Sequence, residues 1–454
     1  MKPLTNVLLS NILVRLLSFC VLVFLARFAY VVTVKGQSCD SIDFCFSSVF
    51  QDLMTEGVLS TNSSSLCIET LAAEEVIALR GIGVVKSIGI SSKKLSSEGV
   101  RYGKSLNQPF KNLTFDFEFS STSGLDQTLN PVQFALEVSR TLKPGGFFVV
   151  HTKSVNDEYS LRSLLELFDT FTLIKLREMD GLDSLPVREI ILRKENVTLL
   201  KIKTANKCSV PSYKQELIRK AEPLIKQEPL KSWITLKRNI KNVKYLSTMV
   251  DISFKNRYVY IDVGARSYGS SIGSWFKKQY PKQEKPFEIY AVEADSAFYD
   301  EYKTKKGVKL LPYAAWIRNE TLFFEISRDP SRKNEERGRG MGRIQAVQSS
   351  SNFMGDLNKI HGFDFAMWLK NTVVEKDYVV VKMDVEGTEF HLIPRLIESG
   401  AICLIDEIFL ECHYNRWQKC CPGKRSPKYQ KTYAQCLELF TSLRKHGVLV
   451  HQWW

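Results

Sequence analysis

The sequence predicts an α/β protein with a Rossmann-like parallel sheet in its C-terminal half, a second, partial α/β unit upstream and an N-terminal transmembrane helix. Three observations carry this. From residue 256 onward, short apolar runs alternate with helical segments, the pattern of a parallel sheet. Upstream, the turn Leu142-Lys-Pro-Gly-Gly146 leads into the strand-like run Phe147–His151. Residues 7–34 are almost wholly apolar, enough for the about 20 residues that a bilayer span requires.

At 454 residues the chain has room for two or three domains. Its 44% hydrophobic and 25% charged residues are those of folded proteins and exclude wholesale disorder. The net charge is +14, and its placement is uneven. Between Lys201 and Tyr245, twelve Lys and Arg face three acids, Glu216, Glu222 and Glu228. This reads as a solvated interdomain connector, with an acidic polymer or an anionic membrane surface as the alternative partner. No nucleic-acid motif accompanies the charge, so no nucleic-acid partner is expected.

In the N-terminal stretch, Arg15 and Arg27 bracket an uninterrupted apolar core from Leu16 to Ala26. No small-x-small cleavage site follows, so residues 1–36 read as an uncleaved signal anchor that makes the membrane a partner. Acceptor sequons at Asn62, Asn112, Asn196 and Asn319 all lie downstream. They point to a lumenal body in the Golgi or endoplasmic reticulum. Ten cysteines do not make a disulfide scaffold in so long a chain. Cys39, Cys45 and Cys67 form one cluster and Cys412, Cys420, Cys421 and Cys436 another, and in an oxidising lumen either could pair.

Residues 37–70 are Ser-rich and read as a stem. Residues 71–195 form the first α/β unit, with strands over Gly83–Ile90, Phe115–Ser120 and Phe147–His151 and a helix over Val132–Leu142. Residues 196–255 are the basic connector. Residues 256–454 form the second unit. Its expected strands are Tyr258–Val263, Phe287–Val292, Val308–Ala315, Tyr378–Asp384 and Cys403–Cys412, and its expected helices are Ile272–Tyr280, Phe363–Asn371 and Glu389–Ser399. Arg328–Ser351, rich in Gly and Arg, reads as a mobile surface loop, an inert insertion in preference to a lid.

The chemistry concentrates in the second unit. The strand Tyr258-Val-Tyr-Ile-Asp-Val263 runs into Gly264-Ala-Arg-Ser-Tyr-Gly269, and glycines at a strand-to-helix turn let a ligand approach the backbone. The next strand ends Tyr290-Ala-Val-Glu-Ala-Asp295, which places acids where they can accept hydrogen bonds from a ribose. NAD, FAD and S-adenosylmethionine domains share this logic. A third motif narrows it: Val379-Val-Val-Lys-Met-Asp384-Val-Glu386-Gly-Thr-Glu389 closes a later strand with three carboxylates and a glycine.

These three motifs, in this order, resemble the FkbM-type methyltransferases. The resemblance implies a class I methyltransferase fold with S-adenosyl-L-methionine as donor. It implies that Asp262, Gly264 and Ala265, with Gly269, line the methionine end, and that Glu293, with Asp295, holds the ribose. Asp384 and Glu386 would lie beside the sulfonium, where a carboxylate favours the cation and can orient or deprotonate an acceptor hydroxyl. Two positions depart from the family: Arg266 stands where Asn is usual, and the next glycine comes one residue sooner than Gly269. The first unit resembles the latter half of the same fold. Phe115-Asp-Phe-Glu-Phe-Ser120 is similar to its fourth-strand motif, but no glycine turn precedes it, and Ser91-Ser92 stand where the ribose acid belongs. It reads as a degenerate structural or substrate-presenting unit.

Near the C-terminus, Cys412, His413, Cys420 and Cys421 offer zinc-ligand types, but adjacent cysteines and the missing C-x-x-C spacing argue against a metal site, and none is expected. His413 and Tyr414, just past a strand end, face either the core or the acceptor; His413 joins Asp384 and Glu386 as a candidate catalytic residue. His451-Gln-Trp-Trp454 reads as an edge strand or docking tail. The function expected is S-adenosylmethionine-dependent O-methylation of a glycan or small-metabolite acceptor. The alternatives are a catalytically silent scaffold and an acidic-polysaccharide binder.

Overall fold

The computed structural model describes residues 42–179, 186–196, 210–230, 240–328, 339–345, 355–418 and 423–453. The first unit is built on β1 (Ser65–Ile68), β2 (Ser87–Ser91), β3 (Val100–Tyr102), β4 (Phe115–Ser120), β5 (Leu142–Thr152), β6 (Phe171–Met179) and β7 (Val187–Lys194). Their order in the sheet is β3-β2-β1-β4-β5-β7-β6. The strands from β1 to β5 pair in parallel, and β7 inserts antiparallel between β5 and β6. The order reverses between β1 and β4, which makes this a doubly wound, Rossmann-like sheet.

This unit is therefore a whole sheet and not the partial unit the sequence suggested. Its missing first strand came from residues read as a stem. β1 is only Ser65-Leu-Cys-Ile68, with every residue buried. Four residues inside a Ser-rich stretch show no periodicity, yet they suffice for a central strand paired on both sides. The helix Ile42–Thr55 also belongs here, stacking Phe46 and Phe50 edge-on against Phe119 of β4.

The second unit contains β8 (Tyr258–Val263), β9 (Phe287–Val292), β10 (Val308–Leu311), β11 (Ala314–Trp316), β12 (Glu320–Arg328), β13 (Arg339–Gln345), β14 (Gly355–Asp364), β15 (Tyr378–Met383), β16 (Glu407–Glu411) and β17 (Leu449–Trp453). Six of them form an all-parallel sheet in the order β10-β9-β8-β15-β16-β17. β8 and β15 are buried at every position, as continuous apolar runs covered on both faces should be. One face carries the helices Phe365–Thr372, Glu389–Glu398 and Tyr433–Lys445. The other packs Trp275, Phe276 and Tyr280 against Tyr260 and Phe409. Among the described residues β17 is an edge strand, paired only with β16.

The run Val308–Ala315 is not one strand. It breaks at Pro312-Tyr313, where proline has no N–H to give a ladder, and the two halves join different sheets. β11 enters a four-stranded sheet of order β11-β14-β12-β13. β13 comes from the Arg328–Ser351 insertion and pairs antiparallel with β12. Residues 329–338 and 346–351 of that insertion lie outside the described residues.

The connector is docked as well as charged. Its helix Ser212–Lys220 lays Leu217 and Ile218 on the core of the second unit, and Leu224 and Ile225 follow on the opposite face. Tyr159 donates to Asp406 Oδ1 at 3.2 Å, and Lys376 Nζ meets Asp169 at 2.9 Å, so the two units are in contact. One element of the expected architecture is corrected. Among the described residues no helix is long and apolar enough to cross a membrane, against the N-terminal transmembrane helix. The stretch 7–34 that carried that expectation lies outside the described residues.

Candidate functional site

β8, β9 and β15 end at one edge of the second sheet, beside the reversal of strand order between β8 and β15. This is where open α/β sheets bind ligands. A cleft opens there, lined by Gly264, Arg266, Glu293, Asp295, Asp384 and Glu386, with Phe324, Gly342 and Ile344 of the smaller sheet closing one side. The insertion thus contributes to the cleft wall.

The turn after β8 is shaped by a close approach of two strand ends. Gly264 has φ +81°, and a Cβ built on it would stand 1.9 Å from the Asp384 carbonyl oxygen. Only glycine fits there. The N–H groups of Gly264 and Ala265 donate to the Val292 carbonyl at 2.9 and 3.1 Å, locking the turn to the end of β9. Arg266 follows with φ +52°, a left-handed conformation that L-residues other than Asn and Asp rarely adopt. Its N–H donates to Glu293 Oε2 at 2.6 Å.

Glu293 is pinned at both oxygens, because Oε1 accepts from the Asp295 N–H at 2.6 Å. Burial pushes its carboxyl up to about 7 against the opposing effect of these backbone bonds. Asp295 lines the cleft and caps the turn that follows by accepting from the Ala297 N–H at 3.0 Å.

Three expected donor-binding residues lie elsewhere. Asp262 is fully buried below the cleft floor, where Tyr260 donates to it at 3.0 Å, Ser271 also donates, and Lys382 Nζ stands 3.6 Å away. Ala265 is buried in the aromatic core. Gly269 is exposed, with open space where its Cβ would be. Of the cofactor-binding set, the cleft brings together Gly264, Glu293 and Asp295.

The three catalytic candidates converge. His413, past the end of β16, is 4% exposed; its backbone N–H donates to Glu389 Oε1 at 2.6 Å and its Nδ1 lies 3.3 Å from the same oxygen. Its Nε2 faces Asp384 Oδ1 at 3.5 Å and Glu386 Oε1 at 3.9 Å. Burial alone would lower the imidazole, but Glu389, Glu386 and Glu411 outweigh it and raise it to about 9. Glu386 sits at φ +51°, and its Oε2 accepts from Lys428 Nζ at 2.7 Å and from the Tyr429 hydroxyl. Burial works to raise its carboxyl, and His413, Lys428 and Tyr429 together bring it below the usual range. Sequence reasoning missed Lys428 and Tyr429 altogether, since no local pattern connects them to β15. Glu389 and Lys382 were visible in the β15 motif but had no assigned role.

Cys412 is disulfide-bonded to Cys436, which removes it from any zinc set. Cys420 and Cys421 lie outside the described residues. At the matching edge of the first unit, β1 runs into Glu69 at φ +56° without a glycine. The Glu69 carboxylate accepts from the backbone N–H groups of Ser92 at 3.1 Å and Ser105 at 3.2 Å. The crevice that would hold a nucleoside is thus bridged by the chain's own acid.

A model of a domain of unknown function (DUF7870) matches residues 218–322 and 335–454. No curated protein matches the chain. Solved structures similar to parts of it include a SAM-dependent methyltransferase from Methanosarcina mazei, 13% identical, covering 31% of this chain and 97% of that one, with a TM-score of 0.26. Another is a SAM-dependent methyltransferase from Aquifex aeolicus, 16% identical, covering 32% of this chain and 88% of that one, also at 0.26. The strand orders observed in the two units are those of doubly wound, Rossmann-like α/β sheets.

Proposed function

We propose that the second unit is an S-adenosylmethionine-dependent methyltransferase, of the FkbM type its motifs resemble, acting on a hydroxyl of a glycan or small metabolite. The observation that carries this reading is the pairing of Gly264 and Glu293 across one turn. The glycine lets the ends of β8 and β15 meet at the cleft, and the carboxylate, held by two N–H groups, faces the same cleft. A carboxylate at that edge of a parallel sheet fits a ribose diol. Gly264 would lie along the methionine end, while Glu293 and Asp295 would hold the nucleoside.

When bound, the donor supplies a methyl carbon whose bond to sulfur breaks, with its electron pair, as the acceptor oxygen bonds to that carbon and gives up its proton. Methyl transfer depends chiefly on alignment, so this chain's contribution is to fix both partners. Asp384 Oδ1 is buried without a hydrogen-bond partner among the described residues, and in this reading it would orient the acceptor hydroxyl or take its proton. Phe324 and Ile344 exclude water from one side of the cleft.

We assign the first unit a structural role, because Glu69 occupies the edge where a donor would sit. An oxidising compartment suits the Cys412–Cys436 bond and the exposed Asn62, Asn112, Asn196 and Asn319. Thermal melting of the purified protein with and without S-adenosylhomocysteine tests the enzyme reading. A ligand-dependent rise in melting temperature is expected, and no rise at millimolar ligand would count against it.

A further inference from the structure

The cluster beside the proposed donor site has features that methyl transfer alone does not require. We infer that Asp384, Glu386 and His413 bind a divalent cation of the Mn²⁺ or Mg²⁺ class, which holds the acceptor oxygen. One atom from each residue lies within 4.8 Å of the others. Metal–ligand bonds of about 2.0–2.2 Å place neighbouring ligands roughly 3 Å apart and opposite ones just over 4 Å, so modest side-chain rotations close the set.

The orientation of the three groups is independent support. Each carboxylate has one oxygen engaged by a cation and the other turned inward. Asp384 Oδ2 lies 3.9 Å from Lys382 Nζ, while its Oδ1 is buried and has no hydrogen-bond partner among the described residues. Glu386 Oε2 is held by Lys428 and Tyr429, and its Oε1 points to His413. The buried His413 ring has Nδ1 against Glu389, and its Nε2 faces both inward oxygens without reaching a made hydrogen bond to Asp384 at 3.5 Å. A carboxylate behind the far nitrogen of an imidazole is how metal-ligating histidines are held in place.

Charge agrees. Asp262, Asp384, Glu386, Glu389 and Glu411 surround the point of convergence, against Lys382, Lys428 and Arg416. The five carboxylates outnumber the three Lys and Arg side chains, so the point of convergence is acidic. Mixed carboxylate and imidazole donors suit Mn²⁺ and exclude a preference for soft metals. Glu386, a non-glycine residue at φ +51°, is held in a conformation that residues at functional sites adopt at a cost.

The role given to the cation rests on the methyltransferase reading; its binding does not. Coordination acidifies a bound hydroxyl, so the acceptor's proton leaves to solvent and Asp384 and Glu386 act as ligands. The test is loss of the free Mn²⁺ electron paramagnetic resonance signal on titration into the full chain, with S-adenosylhomocysteine calorimetry on the same sample. One equivalent should bind below roughly 1 mM, within the range of oxygen-rich protein sites. Asp384→Asn, Glu386→Gln and His413→Ala should each weaken Mn²⁺ binding tenfold or more. If a variant fails to fold, the wild-type titration and the remaining variants still decide the matter. An undiminished Mn²⁺ signal from wild type that binds S-adenosylhomocysteine normally overturns the inference alone. Binding that all folded variants retain unchanged overturns it equally. Mn²⁺ binding without any affinity for S-adenosylhomocysteine keeps the cation site and removes the donor reading.

Discussion

The Cα of Gly264 approaches the Asp384 carbonyl so closely that a Cβ would lie 1.9 Å from the oxygen, which joins the donor-side turn to the end of the strand bearing the catalytic candidates. Gly264→Ala must therefore push β8 and β15 apart at the cleft. A left-handed φ adds about 1–2 kcal/mol of conformational cost for a residue with a Cβ. Donor affinity should fall at least tenfold together with a lower melting temperature. Gly269→Ala meets open space and should change neither by a comparable amount.

Arg266 occupies a left-handed conformation two positions after Gly264, where the resembled family carries Asn. Its backbone N–H, not its side chain, bonds Glu293. The guanidinium lies 5.8 Å from the Phe298 ring. Arg266→Asn keeps the backbone bond in a residue suited to that conformation, so it should raise stability by about 0.5–1 kcal/mol in denaturant melts. A loss of stability would mean that the side chain contributes more than the backbone strain costs.

His451 is fully buried between Glu222, at 2.5 Å from Nδ1, and Glu407, at 2.9 Å from Nε2. Burial alone would lower its pKa, and the two carboxylates raise it to about 9. A group raised on folding gives stability that is complete below its unfolded value near 6.5 and is lost as pH climbs through about 9. The contribution is on the order of 3 kcal/mol. Melting temperature should decline between pH 7 and 10 in wild type. His451→Gln should flatten that decline while costing about 3–5 kcal/mol, because the buried Glu407 and the partly buried Glu222 lose their cation.

Much of the second unit was legible because its strands are long, apolar and bounded by glycine turns; Tyr258–Val263 and Phe287–Val292 match their predicted ends. What escaped were features without local periodicity. β1 is four residues long in a Ser-rich stretch, and Pro312 divides one apolar run between two sheets. The site was half visible. Asp384, Glu386 and Glu293 stand at strand ends and could be found by motif. The engagement of Glu386 by Lys428 and Tyr429 depends on a loop more than 40 residues away, which no spacing rule reaches. Asp262 looked like a ligand residue because it sits in the motif, yet the alternation of the strand turns it into the interior toward Tyr260 and Lys382.

Glu293 has a pH signature of its own. Burial raises its carboxyl to about 7, so ionising it within the fold costs stability as pH rises from its unfolded value near 4.5 through about 7. The ionised form is the better acceptor for ribose hydroxyls. S-adenosylhomocysteine affinity should therefore increase between pH 6 and 8, and Glu293→Gln should remove that increase, as followed by ligand-dependent melting at several pH values.

The most direct measurement is calorimetric titration of the full chain with S-adenosylhomocysteine, comparing wild type with Glu293→Ala. A donor held by this carboxylate through two charge-assisted hydrogen bonds loses about 1.5–3 kcal/mol per bond, so micromolar binding to wild type should weaken tenfold or more. No heat at millimolar ligand, or equal affinity in the variant, would contradict a donor site at the β8–β9 edge.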